Sequence, residues 1–339
     1  MRTREGRRGL LFICILAVVL LALLLLSFGL GRYAVPPAEV IRILLSRIFP
    51  VTPSWTEQME TAVISIRLPR ILLACMVGGC LSAAGTAYQS VFRNPMAAPD
   101  ILGASSGACF VAALAILLGF SRSGVTALAF VSSLLSVALV YAIARRAKGN
   151  PVTMLLLAGV MIGSLFSACT SYVKLVADPT NQLPAITYWL MGSLSGTRMN
   201  AVGFAAVPML IGLAPLLALR WRINLLTLDE EEARSMGVNT GRLRLVVILC
   251  ATVLTAACVA VSGMIGWVGL VIPHLSRKLV GSNCRYLLPA STIFGAIFLL
   301  LVDNISRNLL ATEIPIGILT AFVGAPFFLY LMTRKEQLL

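Results

Sequence analysis

The chain has 339 residues, 59% of them hydrophobic, with a mean hydropathy of +0.94; this exceeds what a soluble core of that size needs and reads as a polytopic membrane protein. Its 27 basic residues against 13 acidic ones sit in short loops between apolar runs, which suits topology signals and lipid headgroups and argues against nucleic acid as a partner. Eight cysteines form no CxxC pair, and the lone histidine, His274, excludes a multi-histidine metal site.

The basic N-terminus is followed by an uncharged run over 10–30. It is longer than a usual signal-peptide core and lacks a small-residue cleavage site, so it is expected to be retained as a first span. Further runs of near-spanning length fall at about 68–88, 99–119, 124–144, 151–176, 201–219, 287–306 and 314–332. The run over 245–276 has 32 residues without a charge, about 48 Å as one helix at 1.5 Å per residue and too long for one crossing. Gly263, Gly266 and Gly269 offer places to turn, and Pro273 is expected to break the helix near the inner surface. Two crossings there bring the predicted total to ten spans.

With the N-terminus inside, the cytoplasmic segments hold 18 of the 27 bases, as the positive-inside rule requires. Both termini are then cytoplasmic. The longest loops, about 31–66 and 177–200 outside and 220–244 inside, accommodate no soluble domain, so residues 1–339 are expected to form one transmembrane domain. Along 67–107, Gly78, Ser82 and Thr86, and likewise Gly79, Ala83 and Ala87, recur every fourth position. Such stripes let helix backbones approach closely in lipid.

Three groups of residues are candidates for function. Arg67 and Arg70 stand on one face of a helix start, and Arg307 lies near the outer end of a later span, all against the charge rule. They either anchor in headgroups or receive carboxylates of a docking protein, with Asp303 and Glu313 as alternative intramolecular partners for Arg307. In the inner loop, Thr227 and Glu230 have capping-box spacing, 229–232 load a first turn with acid, and Gly237 can close the helix. Leu225, Leu228, Ala233 and Met236 give that helix an apolar side, so it is either a solvated loop helix or a knob for a cytoplasmic partner. Between 263 and 277 glycines at every third position permit close packing, and His274 is either a satisfied interfacial side chain or part of a partner surface. No buried carboxylate pathway, GxxxxGK[ST] loop, HExxH pair or nucleophile elbow occurs. The chain is therefore not expected to be an enzyme.

The segments RLPR at 67–70, GTAYQSVFRNPMAAPDILGASSGA from Gly85, LDEEEARSMGV from Leu228, GMIGWVGLVIPHLSRKLVG from Gly263 and EIPIGILTAFVGAPFFLYLM from Glu313 resemble the FecCD family. Its members are membrane subunits of iron-siderophore, haem and cobalamin ABC importers. The resemblance implies an all-α, type II importer permease-like fold of about ten transmembrane helices in a bacterial cytoplasmic membrane. It implies as partners a second permease copy or homologue, two cytoplasmic ATPase subunits that bind ATP and magnesium, and an extracytoplasmic substrate-binding protein. No cofactor or metal is expected in this chain itself. By the same resemblance, Arg67, Arg70 and Arg307 would dock the binding protein. Leu228, Asp229, Glu230, Glu231, Glu232, Ala233, Arg234, Ser235, Met236 and Gly237 would form the coupling helix that seats in the ATPase. Asn94 and Met96, with Val152 and Thr153, would narrow the cytoplasmic end of the path. An iron-siderophore is the expected cargo, with haem or cobalamin as alternatives. A passive channel or membrane scaffold is the rival class.

Overall fold

In a bilayer the backbone must satisfy its own N–H and C=O groups, so each uncharged run is expected to close into a helix. The computed structural model describes residues 4–333 apart from Arg32, Val51 and Asp229, and all its regular structure is helical. The helices are α1 (Arg4–Gly29), α2 (Pro37–Leu45), α3 (Glu57–Glu60), α4 (Leu68–Val91), α5 (Ala104–Leu117), α6 (Arg122–Arg146), α7 (Pro151–Val176), α8 (Gln182–Leu190), α9 (Met199–Ile223), α10 (Glu230–Ser235), α11 (Thr240–Ser262), α12 (Val268–Val280), α13 (Cys284–Asn308) and α14 (Ile316–Thr333). Among the described residues, seven helical segments are long and apolar enough to cross a membrane. The shorter α5 and α14 are apolar as well, and α12, 13 residues long, stands where the remaining span is predicted.

Contacts between helix ends fix the alternation. At one end Gln182 Nε2 donates to Leu117 O, Ser193 N–H to Ser262 O and Ile316 N–H to Gly192 O. At the other, Asn224 Nδ2 donates to Asn283 Oδ1, and Gly9 lies against the Tyr286 ring. The first is the predicted outer end and the second the predicted cytoplasmic end.

The small-residue stripes place α4 at the centre. Its most apolar stretch is 83% buried, against 11% for that of α1 and 17% for that of α7. A Cβ added at Gly78 would lie 2.2 Å from Gly295 O of α13, and one at Gly85 would lie 1.8 Å from Gly269 O of α12. Backbone therefore meets backbone on two sides of one helix, and dispersion across those contacts replaces the hydrophobic drive that lipid does not supply.

Three local expectations change. The helix does not begin at Arg67: α3 runs through a π-helical turn, Thr61–Arg67, into α4. Leu68 N–H bonds Val63 O, five residues back, and Pro69, with no N–H to give, follows at once. Pro273 does not break its helix and lies inside α12; the break comes earlier, where Gly263 and Trp267 take φ of 68° and 70°. The stretch expected to start a span near 99 opens with a 3-10 turn, Pro99–Leu102, and Gly103 in the left-handed region before α5. The outer loops also carry structure of their own in α2 and α8.

Candidate functional site

At the predicted outer end the three candidate arginines converge, but inside the protein. Arg67, Arg70 and Arg307 are 4%, 6% and 8% exposed, and Asp303 is 0% exposed. Arg70 Nε donates to Asp303 Oδ1 at 2.9 Å, and its Nη1 reaches both Glu313 oxygens at 2.9 Å. Arg307 Nε stands 3.4 Å from Asp303 Oδ2, and its Nη2 donates to Asn304 Oδ1. Arg67 donates to the carbonyls of Phe28 and Tyr33. The expectation of guanidiniums standing free at a surface is thus corrected. Bringing the end of α1, the start of α4 and the end of α13 together turns the guanidiniums to intrachain acceptors, and among the described residues Arg70 Nη2, Arg307 Nε and Asp303 Oδ2 keep no hydrogen bond. Asp303 partners both Arg70 and Arg307, whereas Glu313 partners Arg70. Glu313 is the accessible member, with 28% of its side chain exposed.

At the predicted cytoplasmic end the α4–α5 turn is built on Asn94. Its Oδ1 accepts Met96 N–H at 2.8 Å and its carbonyl accepts Ala97 N–H at 3.0 Å, an Asx turn that leaves Met96 38% exposed. Val152 and Thr153 open α7 at the same end, where both N–H groups point at Asn150 Oδ1, 2.9 and 3.4 Å away. Farther along, α7 leans on the 3-10 turn: a Cβ at Gly159 would lie 2.2 Å from Ile101 O. Among the described residues no hydrogen bond joins the Asn94–Met96 pair to the Val152–Thr153 pair.

The predicted inner-loop helix exists as α10, six residues long and shorter than expected. Its cap is not Thr227, whose hydroxyl donates to Asn224 O at 2.7 Å. The cap position falls on Asp229, outside the described residues. Gly237 does close the helix, at φ 76°, with Val238 N–H on Ala233 O as in a Schellman motif. Of the expected apolar side, Leu225 and Ala233 are buried and Met236 is exposed.

Two residues of interest escaped the sequence reading. Arg93, in the turn after α4, takes φ 48°. It donates through Nε to Leu226 O at 2.9 Å and through Nη2 to Leu228 O. Trp267 also takes a positive φ, with Val268 N–H bonded to Gly266 O, and its side chain packs over Gly324. The segment Arg93-Asn94-Pro95 marks a turn, but no spacing reveals what a side chain from it will reach. His274 is half-buried, and among the described residues its Nε2 has no hydrogen-bond partner.

The FecCD transport family matches residues 19–334. The molybdate import system permease protein MolB of Haemophilus influenzae is 41% identical to this chain over 322 residues, covering 95% of each. The Fe(3+)-citrate import system permease protein YfmE of Bacillus subtilis is 40% identical, covering 99% of this chain and 98% of the relative. Among solved structures, an inward-facing conformation of a metal-chelate type ABC transporter overlays with a TM-score of 0.85 at 40% identity, covering 94% of this chain and 98% of that one.

Proposed function

This chain belongs to the FecCD transport family, and from that membership we propose that it serves an ATP-driven importer whose cargo is an iron-siderophore or a similar ferric chelate. It is a multi-pass ABC importer permease. As a transport subunit it pairs with a second copy or a homologue in a bacterial cytoplasmic membrane with both termini inside. Two ATPase subunits below it bind ATP and magnesium, and a binding protein above it delivers the cargo.

The carrying observation is the near-complete correspondence with a ferric-citrate permease and with a metal-chelate transporter of known structure. The molybdate relative favours an oxyanion as the second reading.

In this mechanism the binding protein docks on the outer end organised by Arg67, Arg70 and Arg307. A carboxylate of the partner takes the place of Glu313 on Arg70, an exchange of like for like that costs little desolvation because Glu313 is already accessible. Arg67 and Arg307 hold that rim in place. Inside, ATP binding moves the helix at 228–237, and Asn94 and Met96, with Val152 and Thr153, open and close the exit.

The test is uptake of radiolabelled ferric chelates, haem, cobalamin and molybdate by proteoliposomes that contain this chain with its cognate ATPase and binding protein. ATP-dependent uptake of a ferric chelate is the expected result. Molybdate uptake would transfer the reading to the oxyanion, and uptake indifferent to ATP would point to a passive channel.

A further inference from the structure

The turn that ends α4 and the segment that leads into α10 lie more than 130 positions apart in sequence, and the Arg93 side chain hydrogen-bonds one to the other. Arg93 holds a left-handed backbone conformation, φ 48°, which a non-glycine residue keeps only where its surroundings impose it. From there the guanidinium reaches two carbonyls of one short stretch, Leu226 O and Leu228 O. A planar fork that grips two acceptors restrains both distance and orientation, which a single flexible ammonium does not.

Both sides of this bridge are anchored to something that matters. The next residue after Arg93 is Asn94, whose side chain and carbonyl fix Met96 and Ala97. On the other side, Leu225 and Leu226 are buried, Asn224 is tied to Asn283 and to Cys284 N–H at the start of α13, and α10 follows two residues after Leu228. A displacement of α10 that drags the 226–228 backbone therefore pulls first on Arg93 and, through it, on the Asn94 turn.

The geometry points to Arg93 as the positioning residue that transmits movement of the helix at 228–237 to the Asn94–Met96 turn. This rests on the proposed roles of those two elements as coupling helix and cytoplasmic gate. Arg93 touches neither cargo nor nucleotide; it acts by making the two segments move together.

The experiment compares wild type, Arg93→Ala and Arg93→Lys in the reconstituted complex with ATPase and binding protein. It measures cargo taken up per ATP hydrolysed, and hydrogen exchange at 92–98 and 224–238 with and without nucleotide. Arg93→Ala is expected to assemble and keep its basal ATPase, while uptake per ATP falls by about tenfold or more and Arg93→Lys recovers part of it. In Arg93→Ala the nucleotide-induced change in exchange should persist at 224–238 and vanish at 92–98. A wild-type uptake ratio in Arg93→Ala, or a loss of assembly and ATPase that leaves the ratio unchanged, would overturn the inference. If the wild type imports nothing yet nucleotide alters exchange at both segments and Arg93→Ala uncouples them, the import reading fails and the link stands.

Discussion

The two ends of the bundle solve the problem of charge in opposite ways. At the predicted outer end Arg70 and Arg307 are balanced by Asp303 and Glu313 largely out of water, and Arg70 meets partners more than 230 positions away while Arg307 meets Asp303 one turn back in its own helix. At the predicted cytoplasmic end, side chains such as Arg93, Asn94 and Asn150 bind backbone groups next to solvent. A buried pair is costly to break because removing one partner strands the other. Bonds to backbone near water are cheap to exchange, since water replaces whatever is lost. One end is thus suited to staying fixed and the other to moving.

Breaking the outer cluster should have the largest effect. Arg70→Met leaves Asp303 with Arg307 alone and is expected to cost about 3–5 kcal/mol, read as a lowered Tm of the detergent-solubilised chain and reduced yield in membranes. An unchanged Tm would mean that the outer end is not held by its ions. Glu313→Gln removes the accessible partner only, so a loss of about 1–2 kcal/mol is expected. If docking exchanges one carboxylate for another, this variant should also bind the acidic binding protein more tightly at low salt; weaker or unaltered binding would argue against the exchange.

At the inner end Asn150→Ala deletes the cap of α7 and should cost about 1 kcal/mol, seen as faster hydrogen exchange at Val152 and Thr153 while the outer end stays protected. Smallest of all is Arg47→Gln, which breaks an exposed pair with Glu60, where the side chains are 56% and 38% accessible. It should shift stability by less than about 1 kcal/mol, and a larger shift in Tm would show that α3 and the segment after α2 brace the outer rim.

Much of this architecture was legible in advance. The long apolar helices, the break after Ser262, the glycine-closed inner helix and the tight packing of α4 follow from uncharged run lengths, Gly237 and the fourth-position stripes. The candidate site was legible in identity and not in environment. Spacing placed Arg67 and Arg70 on one face but could not say that the face turns inward, because that depends on where α1 and α13 arrive. Thr227 and Glu230 matched a capping pattern, yet the helix began later, since the Thr227 hydroxyl had a closer acceptor in Asn224 O.

By itself the sequence determined that this chain crosses a membrane many times as helices, since a bilayer offers the backbone no other partner than itself. It also determined which faces could approach closely, since small residues at helical spacing do so wherever they are brought together. Only the tertiary structure decided which charges meet between helices. Arg70 and Asp303 stand 233 positions apart, and their contact exists because Gly78 and Gly295 let α4 and α13 touch backbone to backbone. That is a property of two surfaces fitted together, which no local pattern in either helix encodes.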